Sequence, residues 1–301
     1  MNVAIHLALV LLFPPLLLGI IGKTKAGFAG RTGASYLQPY HDILKLLRKD
    51  SVFSGTTTWV FRAAPVITLA ALLTASLLLP LGNHASPLSF RGDMLLFAYL
   101  LGLGRFFTVS AALDTGSSFE GMGGAREVTF SCLAEGTVFF ALIAFSRITG
   151  SASLTGMLTA PLAEVWVEAA APLLLLAGGL FVVLLAENSR VPFDDPNTHL
   201  ELTMIHEVMV LDHSGPLYGC ILYGASVKLL LFGALFLHVV VPFHSGNTLL
   251  DWGVFVLSMA LLAVGVGVVE SVMARLRLTR VPQLLAGACI VSAFSLLLLA
   301  R

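Results

Sequence analysis

The residues best suited to chemistry lie between 187 and 213, where ENSRVPFDDPNTHLELTMIHEVMVLDH carries seven formal charges and three histidines in 27 residues. His206-Glu207 resembles the start of the zinc-protease motif HExxH, but the second histidine is replaced by Val210. The segment therefore lacks that motif, and carboxylates and imidazoles at this density suit proton transfer or the docking of a partner.

A metal site is the competing interpretation of the same segment. His199, His206 and His213 recur every seven residues, and Asp194 or Glu201 could complete a ligand set. A polar helix face in a hydrated cavity explains the spacing more economically. We therefore assign neither a metal nor a catalytic residue to this chain.

A second group of ionisable residues falls within long apolar stretches. Each costs roughly 2.5–3.5 kcal/mol at the centre of a bilayer, so such residues are expected to pair or to serve function. The group comprises Arg105, Glu135, Lys228 and Glu270, with Asp114 and Glu187 at the ends of apolar stretches. Together they predict a polar path through a helix bundle. In the alternative, Arg105 forms a structural ion pair with one carboxylate and Glu270 merely lies near an interface.

The elements that position these residues are predicted to be membrane helices. The 301-residue chain is 57% hydrophobic and 11% charged, whereas soluble domains carry about 25% charged residues. Eight apolar runs approach the roughly 20 residues that cross a bilayer. They lie at 2–21, 64–82, 94–113, 128–147, 170–187, 217–241, 252–273 and 283–300. We predict an all-α polytopic protein with a single membrane domain at 1–301, whose first run is an uncleaved helix.

The cations predict the orientation of these helices. Twelve lie in the loops after runs 1, 3, 5 and 7, and three lie on the opposite side. The positive-inside rule then places those loops in the cytoplasm and both termini outside, in the cytoplasmic (inner) membrane. The three cysteines have no CxxC spacing, and the net charge is zero without a basic cluster. Neither a disulfide framework nor a nucleic-acid partner is expected.

Three loops carry further signals. In the first, Tyr40, Ile43, Leu44 and Leu47 share one helical face, which predicts an amphipathic helix on lipid or against a partner. The third loop, GSSFEGMGGAREV at 116–128, is glycine-rich, which favours tight turns, but it has no phosphate-binding motif.

The loop after run 5 contains two prolines, at 192 and 196, which predict irregular backbone over 188–196. A second helical segment capped by Asn197 or Thr198 should follow, with Glu201 near its start.

Three motifs, in order along the chain, resemble the complex I subunit 1 family, the membrane subunits of NADH dehydrogenase that join its redox arm to its proton-pumping arm. They are RTGASYLQPYHDILKLLRKD at 31–50, GGAREVTFSCLAE at 123–135 and ENSRVPFDDP at 187–196. LGRFFTVSAALDTGSSFEGMGGARE and THLELTMIHE are more similar to one branch, the membrane subunit of group 4 [NiFe] hydrogenases of the formate hydrogenlyase and hydrogenase-4 type. Asn197 and His199 stand where complex I usually has glutamates, and Asp212 departs from both branches.

The resemblance implies a membrane subunit that couples a cytoplasmic hydrogenase arm to an ion-translocating membrane arm. It would hold no cofactor, because the [NiFe] centre and iron–sulfur clusters belong to partner subunits. Its implied partners are the large and small [NiFe] hydrogenase subunits, an iron–sulfur subunit, an antiporter-like membrane subunit and the lipid bilayer. Redox turnover beside the loops would shift the pKa of buried carboxylates, and the change would pass along coupled groups.

The resemblance also implies roles for named residues. Partner docking and the adjoining cavity would use Arg31, Asp42, Lys45, Arg126, Arg190, Asp194 and Asp195. The ion path would use Glu135, Glu187, Glu201, Glu207 and Lys228. The main alternative function is the quinone-site subunit of complex I. A self-sufficient secondary transporter and a passive membrane anchor are the other two.

Overall fold

The computed structural model describes residues 2–160, 162–194 and 204–299, and these residues are overwhelmingly helical. The first half contains α1 (Asn2–Leu12), α2 (Pro14–Phe28), α3 (Gln38–Leu47), α4 (Trp59–Leu78), α5 (Asp93–Asp114) and α6 (Ser118–Thr149). The second half contains α7 (Leu154–Leu158), α8 (Leu162–Glu168), α9 (Ala170–Glu187), α10 (Gly215–Val240), α11 (Thr248–Val272) and α12 (Val281–Leu299). Two short 3₁₀ turns span Glu207–Val210 and Leu278–Arg280. No strand occurs within the described ranges, which confirms the all-α prediction.

Within those ranges, seven helices are long and apolar enough to cross a membrane. The first predicted run is broken instead, because α1 and α2 meet at an angle of 48°. Pro14 and Pro15 open α2, and proline removes the backbone N–H that a continuous helix would need. Counted as one span, the bent pair makes the eighth, which agrees with the predicted number.

The helices pack as a bundle around one large apolar core. α4 lies against α5 and α10, while α6 packs on α9 and α12. α2 packs on α11 and α10, so the bent first span closes the bundle on the side of α10. α5 buries the smallest share of its span among the seven helices, so most of its outward surface is left uncovered.

The prediction of a glycine-rich loop at 116–128 is wrong for most of this stretch, because α6 begins at Ser118. Gly116 alone in this stretch has a positive φ, of 71°. Gly123 instead permits close packing, since an added Cβ would lie 3.0 Å from the Ile205 carbonyl oxygen and from Met209 Cγ. Gly123 therefore allows α6 to lie against the segment after residue 203, and α6 begins before the predicted apolar run of 128–147.

The amphipathic helix is confirmed as α3, with a different inward face. Leu44 is exposed, whereas Ile43 and Leu46 are half-buried against α10 at Gly219. The approach is close, because a Cβ added to Gly219 would lie 3.4 Å from Leu46 Cβ. A neighbouring helix rather than lipid thus selects the buried side chains of α3.

The connections after α2, α5, α9 and α11 meet at one end of the bundle, which we term the loop end. It comprises residues 29–58, 115–117, 188–194 with 204–214, and 273–280. The backbone N–H of Val52 donates to Ser214 Oγ at 2.9 Å, and Thr56 Oγ1 donates to the Thr115 carbonyl at 3.1 Å. Leu276 N donates to the Pro192 carbonyl at 2.9 Å. The connections that carry or adjoin the three motifs therefore share one end of the bundle, and the assignment of that end to the cytoplasm stays a prediction.

Gly215 offers a test of how the first loop is held. Its φ is +56°, and an added Cβ would lie 2.6 Å from the Asp50 carbonyl oxygen. Gly246 has a φ of +75° but nothing within 4 Å of an added Cβ. Both alanine variants should incur about 1–2 kcal/mol of backbone strain. Gly215→Ala should lower the thermal unfolding temperature further and speed proteolysis of residues 29–58. Equal effects of the two variants would contradict the packing role.

Candidate functional site

The site is built around Arg105, which lies on α5 and contacts three carboxylates from two other helices. Arg105 Nη2 donates to both oxygens of Glu187, at 2.7 and 2.9 Å. Its Nε lies 3.5 Å from Glu127, and its Nη1 donates to Glu135. The guanidinium offers five N–H donors in a rigid fork, so one side chain can hold several carboxylates.

Two further cations reach the same carboxylates from α10 and from the loop end. Lys228 Nζ lies 2.7 Å from Glu187 Oε2, and His206 Nε2 lies 3.2 Å from Glu127 Oε2. We term Arg105, Glu127, Glu135, Glu187, His206 and Lys228 the Arg105 cluster. With His206 protonated, the cluster contains equal numbers of positive and negative groups, which is the condition for stable burial of charge.

His206 is the member of the cluster nearest the loop end. Burial disfavours a charged imidazole, but the Glu127 carboxylate outweighs that cost and raises the pKa of His206 above its ordinary value. A proton on His206 is thus held by a carboxylate that also faces Arg105. Loss of that proton would leave Glu127 with Arg105 as its nearest cation.

A cavity of about 250 Å³ adjoins the cluster. Its polar side is formed by Arg105, Glu127, Glu187, His206 and Lys228, and its apolar side includes leucines from α2, α4 and α5. The irregular residues 188–190 and Glu207 line it as well. A space lined this way can hold water beside ionisable groups.

A smaller cavity of about 50 Å³ shares Thr68, Thr108 and Met209 with the first and extends to His213. The His213 ring lies on Phe61, with ring centroids 3.9 Å apart. Neither ring nitrogen makes a hydrogen bond of good geometry to the described residues. Burial lowers the pKa of His213 to about 4, so the ring is neutral near pH 7.

A second set of ion pairs fixes the irregular segment after α9. Glu270 of α11 is buried and lies 2.9 Å from Lys25 Nζ and 3.2 Å from Arg190 Nη1. Asp194 lies 3.2 Å from Arg275 and accepts hydrogen bonds from the backbone N–H of Ile205 and His206. We term Lys25, Arg190, Asp194, Glu270 and Arg275 the Glu270 clamp. It ties α2, α11 and the loop end to the residues that carry His206.

The structure brings part of the predicted set together. Glu135, Glu187 and Lys228 belong to the Arg105 cluster, and Glu207 lines its cavity. Arg190 and Asp194 belong to the clamp, and Arg126 donates to the Met204 carbonyl at 2.9 Å. Arg31, Asp42 and Lys45 lie exposed on the first loop, outside the cluster. Asp195, His199 and Glu201 lie outside the described residues, as do the predicted caps Asn197 and Thr198. The roles proposed for all these residues stay predictions.

Arg105 belonged to the polar path predicted from the apolar runs but not to the ion path that the resemblance implied, and Glu127 and His206 belonged to neither. Arg105 carried a clear signal, an arginine within an apolar run. Glu127 carried none, because it fell in a stretch interpreted as a turn-forming loop. In the structure α6 starts at Ser118, so Glu127 lies on this helix, one turn before Ser131. Searched within the described ranges, no group of three or more His, Cys, Asp or Glu side chains is arranged to hold a metal.

Comparisons with known proteins give a family and several relatives for this chain. A family model described as NADH dehydrogenase covers residues 1–301. The chain is 32% identical to formate hydrogenlyase subunit 4 of Escherichia coli (strain K12), over 90% of this chain and 89% of that protein. It is 30% identical to hydrogenase-4 component C of the same organism, over 80% and 75% of the two chains. The H subunit of NADH-quinone oxidoreductase from Anaplasma phagocytophilum (strain HZ) is 30% identical, over 66% and 61%.

Among solved structures, the chain resembles one from the membrane-bound sulfane sulfur reductase, an archaeal respiratory membrane complex. The TM-score is 0.82, with 99% of this chain and 100% of that chain covered and 21% sequence identity. At that identity the likeness establishes the fold alone.

The sharing of Arg105 predicts unequal effects of removing cations from the cluster. Arg105→Leu leaves the three carboxylates with only Lys228 and His206 as cations, and breaking a buried ion pair costs about 3–5 kcal/mol. Lys228→Leu leaves Glu187 in contact with Arg105 and should cost less. The thermal unfolding temperature of the detergent-solubilised protein should fall much further for Arg105→Leu. Equal losses would show that Arg105 is not the shared partner.

His213 predicts a dependence of stability on pH. Between pH 6.5 and about 4 the unfolded chain protonates this ring and the folded chain does not, so the free energy of unfolding falls as pH falls. His213→Phe keeps an aromatic ring on Phe61 and should flatten this acid-side decline in thermal unfolding temperature. His41→Phe, at an exposed ring, is the control and should leave the decline intact. An unchanged slope in His213→Phe would contradict the prediction.

Proposed function

Since the chain belongs to the NADH dehydrogenase family over residues 1–301, we propose that it is a coupling subunit of a membrane oxidoreductase. It is a multi-pass membrane protein related to subunits of formate hydrogenlyase, hydrogenase-4 and complex I. In the proposal, its loop end docks a cytoplasmic [NiFe] hydrogenase arm and its bundle contacts an ion-translocating membrane arm. The [NiFe] centre and iron–sulfur clusters belong to the partner subunits, and the antiporter-like subunit lies in the membrane.

The observation that carries the proposal is the position of the Arg105 cluster. It joins His206, at the loop end, to Glu135, which lies near the middle of α6. Every contact between neighbouring members of this series is 3.5 Å or less. A change of charge at the loop end therefore reaches the membrane interior through direct contacts.

The shared guanidinium supplies a way to transmit that change. While His206 is protonated, it balances Glu127, and Arg105 is available to Glu135 and Glu187. When a redox partner withdraws the proton from His206, the Glu127 carboxylate attracts Arg105 more strongly, because opposite charges at this distance interact strongly in a low dielectric. The ion pair between Arg105 and Glu135 then weakens, which leaves the negative charge of Glu135 less well compensated. Coupling of this kind needs two alternative ion pairings and no large motion.

The test is a mild-detergent pull-down of the tagged chain, with mass spectrometry of its partners and a hydrogen-evolution assay. We expect [NiFe] and iron–sulfur subunits to be recovered together with hydrogen evolution. Asp194→Asn at the clamp should reduce recovery of these subunits several-fold, because Asp194 orders the backbone of residues 205 and 206. Arg91→Ala, an exposed cation at the opposite end, is the matched control.

A second pair of variants separates coupling from docking. Glu135→Gln and Lys228→Met should retain the soluble subunits but reduce turnover-linked ion movement at least several-fold in reconstituted vesicles. Full ion movement in both variants would instead support a passive anchor. Hydrogen-evolution activity that needs no partner subunit would refute the proposal outright.

The alternative is a quinone-site subunit of the NADH:quinone oxidoreductase type. The cavity beside Arg105 favours it, because apolar walls next to a few polar groups suit a small amphipathic ligand. Recovery of NADH dehydrogenase subunits and inhibition by a quinone-site inhibitor would support this alternative. A hydrogen-evolving assembly would be insensitive to the inhibitor.

A further inference from the structure

A large apolar groove opens on the side of the bundle between α5, α6 and α10. Its volume is about 690 Å³, and leucine, alanine and aromatic side chains line most of it. Tyr99 and Phe106 stand on its α5 wall and Phe139 on its α6 wall. Tyr99 is 76% exposed, although it lies within a membrane span. The groove therefore faces the hydrocarbon or another protein.

Glu135 lies in this groove beside Arg105. Its side chain is 45% exposed, whereas that of Glu187 is 4% exposed. One oxygen of Glu135 accepts from Arg105, and the described residues supply no hydrogen bond to the other. Glu187 also forms an ion pair with Lys228, and Glu127 also pairs with His206. Among the three carboxylates of the cluster, Glu135 therefore has the fewest cations to balance its charge.

A half-exposed carboxylate at this depth restricts what can cover it. Glu135 is near the middle of α6, so lipid headgroups at the bilayer surface do not reach it, and acyl chains have no donor to offer. A second copy of this chain packed across a twofold axis at this groove would place Glu135 against Glu135, which like-charge repulsion disfavours. The occupant must be apolar along its length and cationic at one point.

We propose that the groove binds a transmembrane helix of a different membrane subunit, and that this helix carries a lysine, arginine or histidine at the depth of Glu135. The size fits, since a volume of about 690 Å³ equals roughly one to two turns of a helix some 10 Å across. Small residues on the α5 wall, Ala98 and Gly102, leave room for the close helix approach typical of membrane interfaces. The inference deepens the proposed function, because it identifies where the membrane arm attaches and which charge it presents.

The groove also gives Glu135 a direct role at that junction. Its first oxygen contacts Arg105 inside this chain, and its second faces the partner's cation. A change in the hold of Arg105 on Glu135 would then change the proton affinity of the partner's cationic group. Charge would pass from one subunit to the next through a single carboxylate.

The inference is tested by photo-cross-linking in intact membranes that contain the whole assembly. The cross-linker p-benzoylphenylalanine replaces Tyr99 or Phe106 in the groove, and Leu257 or Leu261 on the exposed face of α11 as controls. We expect both groove positions to form an adduct with one other integral membrane protein, and the α11 positions not to capture that protein. Adducts with lipid alone, with a second copy of this chain, or equally from α11 would overturn the inference.

The role of Glu135 is tested in the same membranes. Glu135→Gln, in the Tyr99 cross-linker background, should lower the adduct yield several-fold, because the charge that attracts the partner is removed. Glu164→Gln, on α8 outside the groove, should leave the yield unchanged. An unchanged yield in Glu135→Gln, with the chain present at normal amounts, would overturn the cationic-partner claim.

The two proposals can fail separately. An adduct in the groove without hydrogenase subunits in the pull-down would refute the proposed function and support the groove inference. Recovery of hydrogenase subunits in the pull-down, without a membrane-protein adduct from the groove, would support the proposed function and refute the groove inference.

Discussion

The shared use of Arg105 by three carboxylates is the interaction on which the rest of the structure depends. A guanidinium in a membrane span is stable only if protein groups replace its water, and Glu127, Glu135 and Glu187 do so from α6 and α9. The requirement fixes the rotation of α6 and α9 about their axes, because each must turn its acids toward Arg105 on α5. Lys228 and His206 then compensate two of the acids, which leaves Glu135 as the group open to a neighbour.

The loop end is arranged to place His206 on this cluster. Irregular backbone after α9 would be free to move if nothing held it, and the Glu270 clamp holds it from α2 and α11. Asp194 adds two backbone hydrogen bonds at residues 205 and 206. Gly123 lets the same segment lie directly on α6. In the proposed function, docking and charge transfer would therefore be linked in space, because the loop end proposed to dock the soluble partner also carries His206 of the cluster.

The bundle also differs between its sides. Most helices bury their polar groups inside, whereas α5 leaves a wide apolar face beside a half-exposed carboxylate. Such an arrangement is unfavourable in lipid and would be relieved by a neighbouring membrane subunit, as proposed above. Two of the relatives are themselves subunits, of formate hydrogenlyase and of NADH-quinone oxidoreductase, which agrees with the proposal that another chain completes the charge at Glu135.

The sequence by itself determined the fold class and the number of spans, and it placed the connections after alternate spans at one end of the bundle, because hydrophobicity and proline act locally. It indicated that Arg105, Glu135 and Lys228 are ionisable residues whose burial in membrane runs is energetically costly, but it did not show which side chains pair with them. Only the tertiary structure decided that Glu127 and His206 join them, since these contacts connect α5, α6 and a loop far apart along the chain. The tertiary structure also decided that Gly123 serves the close approach of residues 205–209 to α6, because a missing Cβ permits either a turn or a close approach and sequence does not distinguish them.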